Sequence, residues 1–135
     1  MKTLHHICIQ TNHYGLSINF YTKILGFEIV KETSNFHGRR YNTWLKLDSF
    51  LIEMQTPKRD IDARFNEFNR NAEGIAHFCI YLDDIQSEYQ RMKELGCTSF
   101  LSKNGEDIYE VEGGRLFKIA APEGTIIEIR DNKGI

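Results

Sequence analysis

The chain repeats itself, and that repetition restricts the folds open to it. Four segments of the first half recur in the same order in the second half. The pairs are His6-Ile7-Cys8-Ile9 with His77-Phe78-Cys79-Ile80 (77 − 6 = 71 residues apart), Leu25-Gly26 with Leu95-Gly96 (70), Leu45-Lys46-Leu47 with Phe117-Lys118-Ile119 (72), and Leu51-Ile52-Glu53-Met54 with Ile126-Ile127-Glu128-Ile129 (75). The sequence therefore predicts two copies of one supersecondary unit.

Each half is predicted to contain a strand, a helix and three further strands, which makes the fold class α+β. In the first half the strands are 7–10, 27–33, 41–47 and 50–55. The helix begins near Gly15, with Asn12 as its cap, and ends at Gly26. Its apolar residues at helical spacing are Leu16, Phe20, Tyr21, Ile24 and Leu25.

The second half repeats this order, with strands at 75–82, 98–101, 115–120 and 125–130. Asp83 or Asp84 caps its helix and Gly96 closes it. The predicted buried stripe is Ile85, Tyr89, Met92 and Leu95. Residues 1–135 are thus expected to form one domain, made of module 1 (about 1–57), a polar linker (58–73) and module 2 (74–135).

Strand alternation separates the side chains of each module into two faces. Eight large apolar residues share one face and can form the core: Ile7, Ile9, Ile52, Met54, Phe78, Ile80, Ile127 and Ile129. The opposite face carries one histidine and one glutamate per module: His6, Glu53, His77 and Glu128. His5 is expected to face the helix side, so His6 is preferred as the functional residue.

Two carboxylates enclosed on one face repel each other and lose hydration, and a divalent cation compensates both effects. Imidazole and carboxylate ligands suit Ni²⁺, Co²⁺, Zn²⁺, Mn²⁺ or Fe²⁺. The competing reading is that the histidines are core residues and the glutamates are solvated. A lone histidine favours that reading, but four residues that agree in repeat position and strand face favour a metal site.

Composition excludes several other classes of function. The net charge of −2 comes from interspersed charges without a basic block, which disfavours nucleic acid as a partner. No apolar run approaches the roughly 20 residues of a membrane span, and the N-terminus lacks a secretory apolar segment. Cys8, Cys79 and Cys97 have no paired spacing and are expected to be buried or half-buried free thiols in a reducing cytoplasm.

Several motifs make the chain similar to the vicinal oxygen chelate superfamily. They are His6-Ile7-Cys8-Ile9, Phe20-Tyr21, Leu25-Gly26-Phe27, Gly74-Ile75-Ala76-His77 and Pro122-Glu123-Gly124-Thr125-Ile126-Ile127-Glu128. That superfamily contains glyoxalase I, methylmalonyl-CoA epimerase, extradiol dioxygenases, and fosfomycin and bleomycin resistance proteins. The resemblance implies tandem βαβββ modules whose mixed sheet curls around a metal cavity.

The resemblance also implies roles for particular residues. His6, Glu53, His77 and Glu128 fall on the superfamily's four metal-ligand positions, and the full set looks most like glyoxalase I. Such an enzyme uses its metal to help remove a proton next to a carbonyl, for example in a methylglyoxal–thiol hemithioacetal. By this resemblance Glu128 is the first choice for the catalytic base and Glu53 the second.

The chain departs from glyoxalase I where that enzyme holds glutathione. Gln10 replaces an arginine, Pro57 replaces an asparagine and His13 replaces an aspartate. Another thiol adduct or another oxygen-chelating substrate therefore fits equally well. Candidate substrate-binding residues are Gln10, Arg39, Arg40, Gln55, Tyr81 and Arg130, with Arg39 and Arg40 placed in a loop between strands. His13 and His37 are expected on the surface.

Two alternatives to a lyase or isomerase of this type stay open. One is an Fe²⁺-dependent dioxygenase that uses the same ligands. The other is a non-catalytic protein that binds a small molecule, as antibiotic resistance proteins of the superfamily do. By analogy the chain is expected to form a homodimer, and the four ligands come together either within one chain or across two.

Overall fold

The computed structural model describes residues 1–59, 71–132 and 134. The chain forms two compact units, Met1–Glu67 and Phe68–Ile135. Most of the predicted linker, at 60–70, lies outside the described residues. Each unit contains one four-stranded mixed sheet, so the predicted α+β class is confirmed.

Within its described residues, 1–59, the first unit contains four strands and one helical region. In chain order these are β1 (His6–Gln10), α1 (Tyr14–Asn19), a π-helical segment (Phe20–Ile24), β2 (Glu28–Phe36), β3 (Arg39–Leu47) and β4 (Phe50–Gln55). The strands are arranged in the order β1-β4-β3-β2. β1 runs parallel to β4, and the other two pairings are antiparallel.

The second unit has the same topology. Its elements are β5 (Phe78–Tyr81), α2 (Ile85–Glu94), β6 (Tyr109–Val111), β7 (Gly114–Ala120) and β8 (Ile126–Arg130). The strand order β5-β8-β7-β6 matches that of the first unit strand for strand, and β5 is again parallel to β8. The predicted βαβββ repeat is confirmed.

Strand register corrects one of the repeat pairings. Trp44 lies opposite Glu53, and Lys118 lies opposite Glu128. The third strands therefore correspond at an offset of 118 − 44 = 74, whereas the sequence comparison of Leu45 with Phe117 gave 72, which is wrong by two residues. A shift of two preserves the face on which each side chain lies.

The apolar face of each sheet is the core, as alternation predicts. The fully buried strand residues are Leu45, Ile52 and Met54 in the first unit and Phe117, Ile119, Ile127 and Ile129 in the second. Burial of each such side chain contributes about 1.5–3 kcal/mol. The first strands are less covered than predicted, because Ile7, Ile9, Phe78 and Ile80 are only partly buried.

The first helical region differs from its prediction at its N-terminal end and in its helix type, whereas it closes at Gly26 as predicted. His13, not Asn12, is the N-cap residue of α1, and no side chain caps it. Leu16 is 64% exposed, so its assignment to the buried stripe is wrong. Phe20, Tyr21 and Ile24 are buried as expected, but they belong to the π-helical segment. Gly26 follows with φ of 84°, the left-handed conformation that glycine adopts most readily.

The second helix follows its prediction more closely. The Asp84 side chain accepts a hydrogen bond from the Ser87 backbone N–H, which identifies Asp84 as the cap. Ile85 and Met92 are buried, and Tyr89 is half-buried. Leu95 is 50% exposed and does not belong to the stripe, because it is the C-cap residue rather than part of the last helical turn.

The outer edge of β7 differs from the sequence-based prediction. Residues 98–101 do not form a regular strand, although Phe100 makes an isolated bridge with Ile119. On the edge of β7 that faces away from β8, the regular partner is β6, a strand that the sequence did not predict. Glu112 and Gly113, with φ of 45° and 83°, form the tight turn between β6 and β7. Among the described residues, no helix combines the length and apolar character needed to cross a membrane.

Candidate metal centre

The first unit brings His6 and Glu53 together. β1 runs alongside β4 with Cys8 directly opposite Glu53, so His6 lies two residues away on the same face. The Nε2 atom of His6 is 3.4 Å from Oε2 of Glu53. Both side chains are partly shielded from solvent.

The second unit brings His77 and Glu128 together in the same way. His77 directly precedes β5, and Cys79 lies opposite Glu128 on β8. Nε2 of His77 is 3.4 Å from Oε2 of Glu128, the same separation as in the first unit. Glu128 is the only charged residue among those of the described chain that are classed as buried. The repeat has therefore produced two copies of one histidine–glutamate pair.

The spacing of these pairs suits a metal ion. A good N–H···O hydrogen bond spans about 2.7–3.2 Å, so 3.4 Å is long for a direct bond. A cation held by bonds of about 2.1 Å fits between donors up to about 4.2 Å apart. Within either unit, counting only the described residues, no third His, Cys, Asp or Glu joins the pair closely enough to form a metal-binding group. We call His6 with Glu53 the first half-site and His77 with Glu128 the second half-site.

Aromatic and imidazole rings surround the first pair. His5 and His6 form a hydrogen bond between their Nδ1 atoms, at 2.8 Å, which leaves Nε2 of His6 directed at Glu53. The ring of Trp44 contacts both histidine rings. The expectation that His5 faces the helix side is wrong, because His5 precedes the first residue of β1 and is not bound by its alternation.

Amide side chains extend the first half-site along the sheet. Gln55 donates hydrogen bonds from Nε2 to Oε1 of Glu53 (3.2 Å) and to Oδ1 of Asn42 (2.8 Å). Gln10 accepts one from Nη1 of Arg39 at 2.9 Å. Arg39 and Arg40 lie in β3, not in the predicted loop. Sequence reasoning did not identify Asn42, whose signal is its place opposite Gln55 in the strand register.

Two cations flank Glu128 in the second half-site. Nζ of Lys118 is 3.6 Å from Oε2, and Nη1 of Arg130 is 3.8 Å from Oε1. Arg130 was expected on this face. Lys118 was not named as a site residue, and only the pairing of β7 with β8 places it there. The first half-site has Trp44 at the corresponding position.

A thiol lies beside each glutamate. Cys8 and Cys79 are exposed, so their predicted burial is wrong, whereas Cys97 is buried as expected. Partial loss of hydration, followed by the charge of Glu53, raises the pKa of the Cys8 thiol to about 11. Loss of hydration and Glu128 raise the pKa of Cys79 to about 11 in the same way. Both thiols are therefore protonated at neutral pH.

A cavity of about 490 Å³ opens next to the second pair. Its walls include His77 and Lys118, together with Lys103, Tyr109, Leu101 and Ile126. The volume lies within the range of small-molecule sites, and the lining combines apolar surface with a few charged groups. This half-site can therefore accept a small molecule beside the histidine–glutamate pair.

The remaining histidines and the tyrosine named from the sequence are Tyr81, His13 and His37. Tyr81 is on the last position of β5, opposite Arg130, and its hydroxyl donates a hydrogen bond to Asp83. His13 and His37 are exposed.

Comparison with known proteins connects the chain to one family. The family described as Glyoxalase/Bleomycin resistance protein/Dioxygenase superfamily matches residues 3–129. The YwkD protein of Bacillus subtilis (strain 168), which has no assigned function, is 28% identical over 101 residues, covering 71% of this chain and 73% of that protein.

Solved structures share the fold at low sequence identity. A glyoxalase family protein from Enterococcus faecalis superposes with a TM-score of 0.76 at 23% identity, covering 96% of this chain and 98% of that one. The fosfomycin resistance protein FosX of Listeria monocytogenes, crystallised with Mn(II) and sulfate, has a TM-score of 0.67 at 13% identity, with 98% and 94% covered.

Proposed function

Because the chain belongs to the Glyoxalase/Bleomycin resistance protein/Dioxygenase superfamily, we propose that it is a metal-dependent lyase or isomerase of the glyoxalase I type. The observation that carries this proposal is the repeated pair, His6 with Glu53 and His77 with Glu128, each at 3.4 Å. Two such half-sites, from one chain or from two copies, supply the four ligands of one divalent cation. A homodimer is part of this proposal.

The donor chemistry supports a transition metal. Two imidazole nitrogens and two carboxylate oxygens suit Ni²⁺, Co²⁺, Zn²⁺, Mn²⁺ or Fe²⁺ better than Ca²⁺ or Mg²⁺, which prefer all-oxygen sites. The structurally similar FosX was crystallised with Mn(II). His5 strengthens the case, because its hydrogen bond to Nδ1 of His6 holds the ring with Nε2 towards Glu53, where a metal would bind.

The proposed substrate is a small oxo compound such as a methylglyoxal–thiol hemithioacetal. A bound divalent cation would polarise the substrate carbonyl and acidify the neighbouring C–H. The carboxylate of Glu128 removes that proton and returns it to the adjacent carbon, and Glu53 is the second candidate for this step. Lys118 and Arg130, beside Glu128, compensate negative charge that develops on the substrate oxygens.

The residues of the proposed site constrain the thiol part of the substrate least. Arg39, on β3, donates a hydrogen bond to Gln10, on β1, although β4 lies between the two strands, so a guanidinium group does lie at this end of the sheet. Gln10 and Arg39, together with Gln55 and Tyr81, are the proposed contacts to the rest of the substrate. Pro57 offers no side-chain donor, so we expect glutathione to be replaceable by other thiols.

The test is turnover of hemithioacetals by protein stripped with a chelator and reloaded with one metal at a time. We expect activity with at least one of Ni²⁺, Co²⁺, Zn²⁺ or Mn²⁺, and a loss of about a hundredfold or more in kcat for Glu128→Gln. Glu110→Gln, which changes an exposed glutamate of the same unit, is the matched control. Metal binding without turnover of any thiol adduct would rule out this reaction.

A non-catalytic binding protein is the second candidate, and the 490 Å³ cavity is the observation that favours it. A protein of that kind would bind its ligand equally well after chelation and in Glu128→Gln. Oxygen uptake with catechols by the Fe²⁺-loaded protein would instead indicate a dioxygenase.

A further inference from the structure

A second cavity, of about 450 Å³, lies in the first unit, where β1 and β4 end. Tyr14 and Tyr41 are part of its wall. Tyr41 stacks on Tyr14, the first residue of α1, and therefore lies on the helix side of the sheet. Trp44, three residues further along β3, lies on the opposite face with His6. The tyrosine wall is thus separated from the first half-site by the sheet itself.

The cavity concentrates positive charge. Arg40, Lys58 and Arg59 all line it, and none of the described residues that line it is acidic. This concentration is local, because the whole chain has a net charge of −2. All three side chains are exposed, and an anion placed among them is attracted to each of them.

Two of the three cations have no competing partner. Arg40 and Lys58 form no hydrogen bond or ion pair through their side chains with any residue in the described part of the chain. Arg59 donates one hydrogen bond to Oδ1 of Asn35, at 3.2 Å, which holds its guanidinium without neutralising it. The charged groups are therefore available to a ligand.

The wall beside these cations is aromatic and fixed. The rings of Tyr14 and Tyr41 stack with centroids 4.3 Å apart and an angle of 10° between planes. The Tyr14 hydroxyl is held by Oγ1 of Thr43, at 2.6 Å, and by Glu32. Burial and the neighbouring Glu32 raise the pKa of Tyr14, so its phenol stays neutral and does not offset the cations. A flat apolar group can pack against this pair.

We propose that this cavity binds a phosphorylated small molecule, with its phosphate on Arg40, Lys58 and Arg59 and its organic part towards Tyr14 and Tyr41. Three cations match the dianionic charge and three terminal oxygens of a phosphate monoester better than the single charge of a carboxylate. A bare phosphate would leave most of 450 Å³ unfilled. The inference does not depend on the proposed metal chemistry.

The experiment is a titration of metal-free protein with phenyl phosphate at low ionic strength, followed by amide chemical shifts and calorimetry. We expect saturable binding with shifts at Thr11, Asn12, Gly15 and Lys58. Arg40→Gln and Lys58→Gln should each weaken binding about tenfold or more. Lys23→Gln, which removes the same charge from an exposed lysine of the same unit, should change it less than about twofold.

Three outcomes would overturn the proposal. One is the absence of saturable binding up to about 10 mM phenyl phosphate, with the variants' unfolding curves showing intact protein. Another is an equal loss of phenyl phosphate affinity in Lys23→Gln, which would indicate nonspecific electrostatic attraction to the protein. The third is binding of benzoate or inorganic phosphate as tightly as phenyl phosphate. His6→Ala, which impairs the proposed metal site, should leave this titration unchanged and so separates the two proposals.

Discussion

Trp44 and Lys118 occupy the same position in the two units, each directly across an antiparallel strand pair from the glutamate of its half-site. Trp44 places an aromatic ring against His6, whereas Lys118 places an ammonium group 3.6 Å from Glu128. The two half-sites therefore share a histidine–glutamate pair but differ in charge. A cation at Glu128 must compete with Lys118, and a cation at Glu53 has no such competitor among the contacts described.

This difference predicts that Lys118→Met increases the affinity for divalent metal. The substitution removes both the pairing of the ammonium group with Glu128 and its repulsion of the cation. We therefore expect the Kd for the metal to fall about three- to tenfold. Calorimetric titration with Zn²⁺ or Mn²⁺ measures the change. Lys103→Met, a lysine of the same cavity that lies over the Tyr109 ring, is the control. Weaker metal binding in Lys118→Met would contradict the competition.

A second prediction concerns the two histidines of the proposed metal site, His6 and His77. His6→Ala and His77→Ala should each weaken metal binding by about a hundredfold or more, because loss of a ligand costs at least as much as loss of a residue that supports one. His13→Ala and His37→Ala, which change exposed histidines, should leave the metal affinity unaltered. Elemental analysis after dialysis against a competing chelator measures how much metal each of the four variants retains. Equal retention of metal by His6→Ala and wild type would remove His6 from the site.

A third prediction follows from the raised thiol pKa values. At pH 8 a thiol whose pKa moves from 9.0 to about 11 has about a hundredfold less thiolate, partly offset by the greater nucleophilicity of a more basic thiolate. Cys8 and Cys79 should therefore react with a disulfide reagent about tenfold more slowly than an unperturbed thiol, with rates that rise up to about pH 11.

The variants Cys8→Ser and Cys79→Ser, alone and combined, assign the observed phases in that measurement. Glu53→Gln supplies the internal check, because it removes a charge that raises the pKa of Cys8 but not one that acts on Cys79. If Cys8 reacted no faster in Glu53→Gln, the carboxylate would not be a cause of its low reactivity.

A fourth prediction concerns the cap of α2. Backbone and side-chain hydrogen bonds from Ser87 lower the pKa of Asp84. A carboxyl group of this kind stabilises the fold above its unfolded pKa of about 3.9, and the contribution is lost as the pH falls through its lower folded pKa. Asp84→Ala should lower the melting temperature at neutral pH by a few degrees.

Asp84→Ser provides the comparison for that change. Serine keeps a capping oxygen but has no carboxyl group, so this variant should retain most of the neutral-pH stability and lose less of it on acidification. Thermal unfolding followed between about pH 2 and 7 tests both expectations. If the melting temperature fell equally on acidification in wild type and Asp84→Ser, Asp84 would not contribute to the acid dependence of stability.

The sequence predicted the fold because the repeat and the alternation of apolar residues are properties of backbone geometry that every strand obeys. It failed at element ends, where that periodicity stops applying. His5 lies outside β1, and Leu95 is the C-cap residue of α2, so neither follows the pattern of its neighbouring element. β6 has only three residues and too little pattern to be recognised.

Site prediction was limited by strand register. His6 and Glu53 were found because each carries a signal in its own strand, and the repeat duplicates that signal. Lys118 and Asn42 matter only through the residue opposite them on the adjacent strand. The register between strands depends on turn lengths and bulges, which the sequence does not reveal. The comparison of the two halves therefore aligned the third strands two residues out of register.

The register shift between Ile29 and Lys31 in β2 has a consequence for colloidal behaviour. β2 is nine residues long, ends its sheet and carries exposed Ile29 and Val30, which together resemble a template for further strand addition. An irregularity in an edge strand twists it, so that its backbone N–H and C=O groups no longer form a regular row for another strand to pair with. Natural sheets use such bulges to prevent edge-to-edge aggregation. Deleting one residue there, which straightens the strand, should increase the tendency of the chain to form fibres.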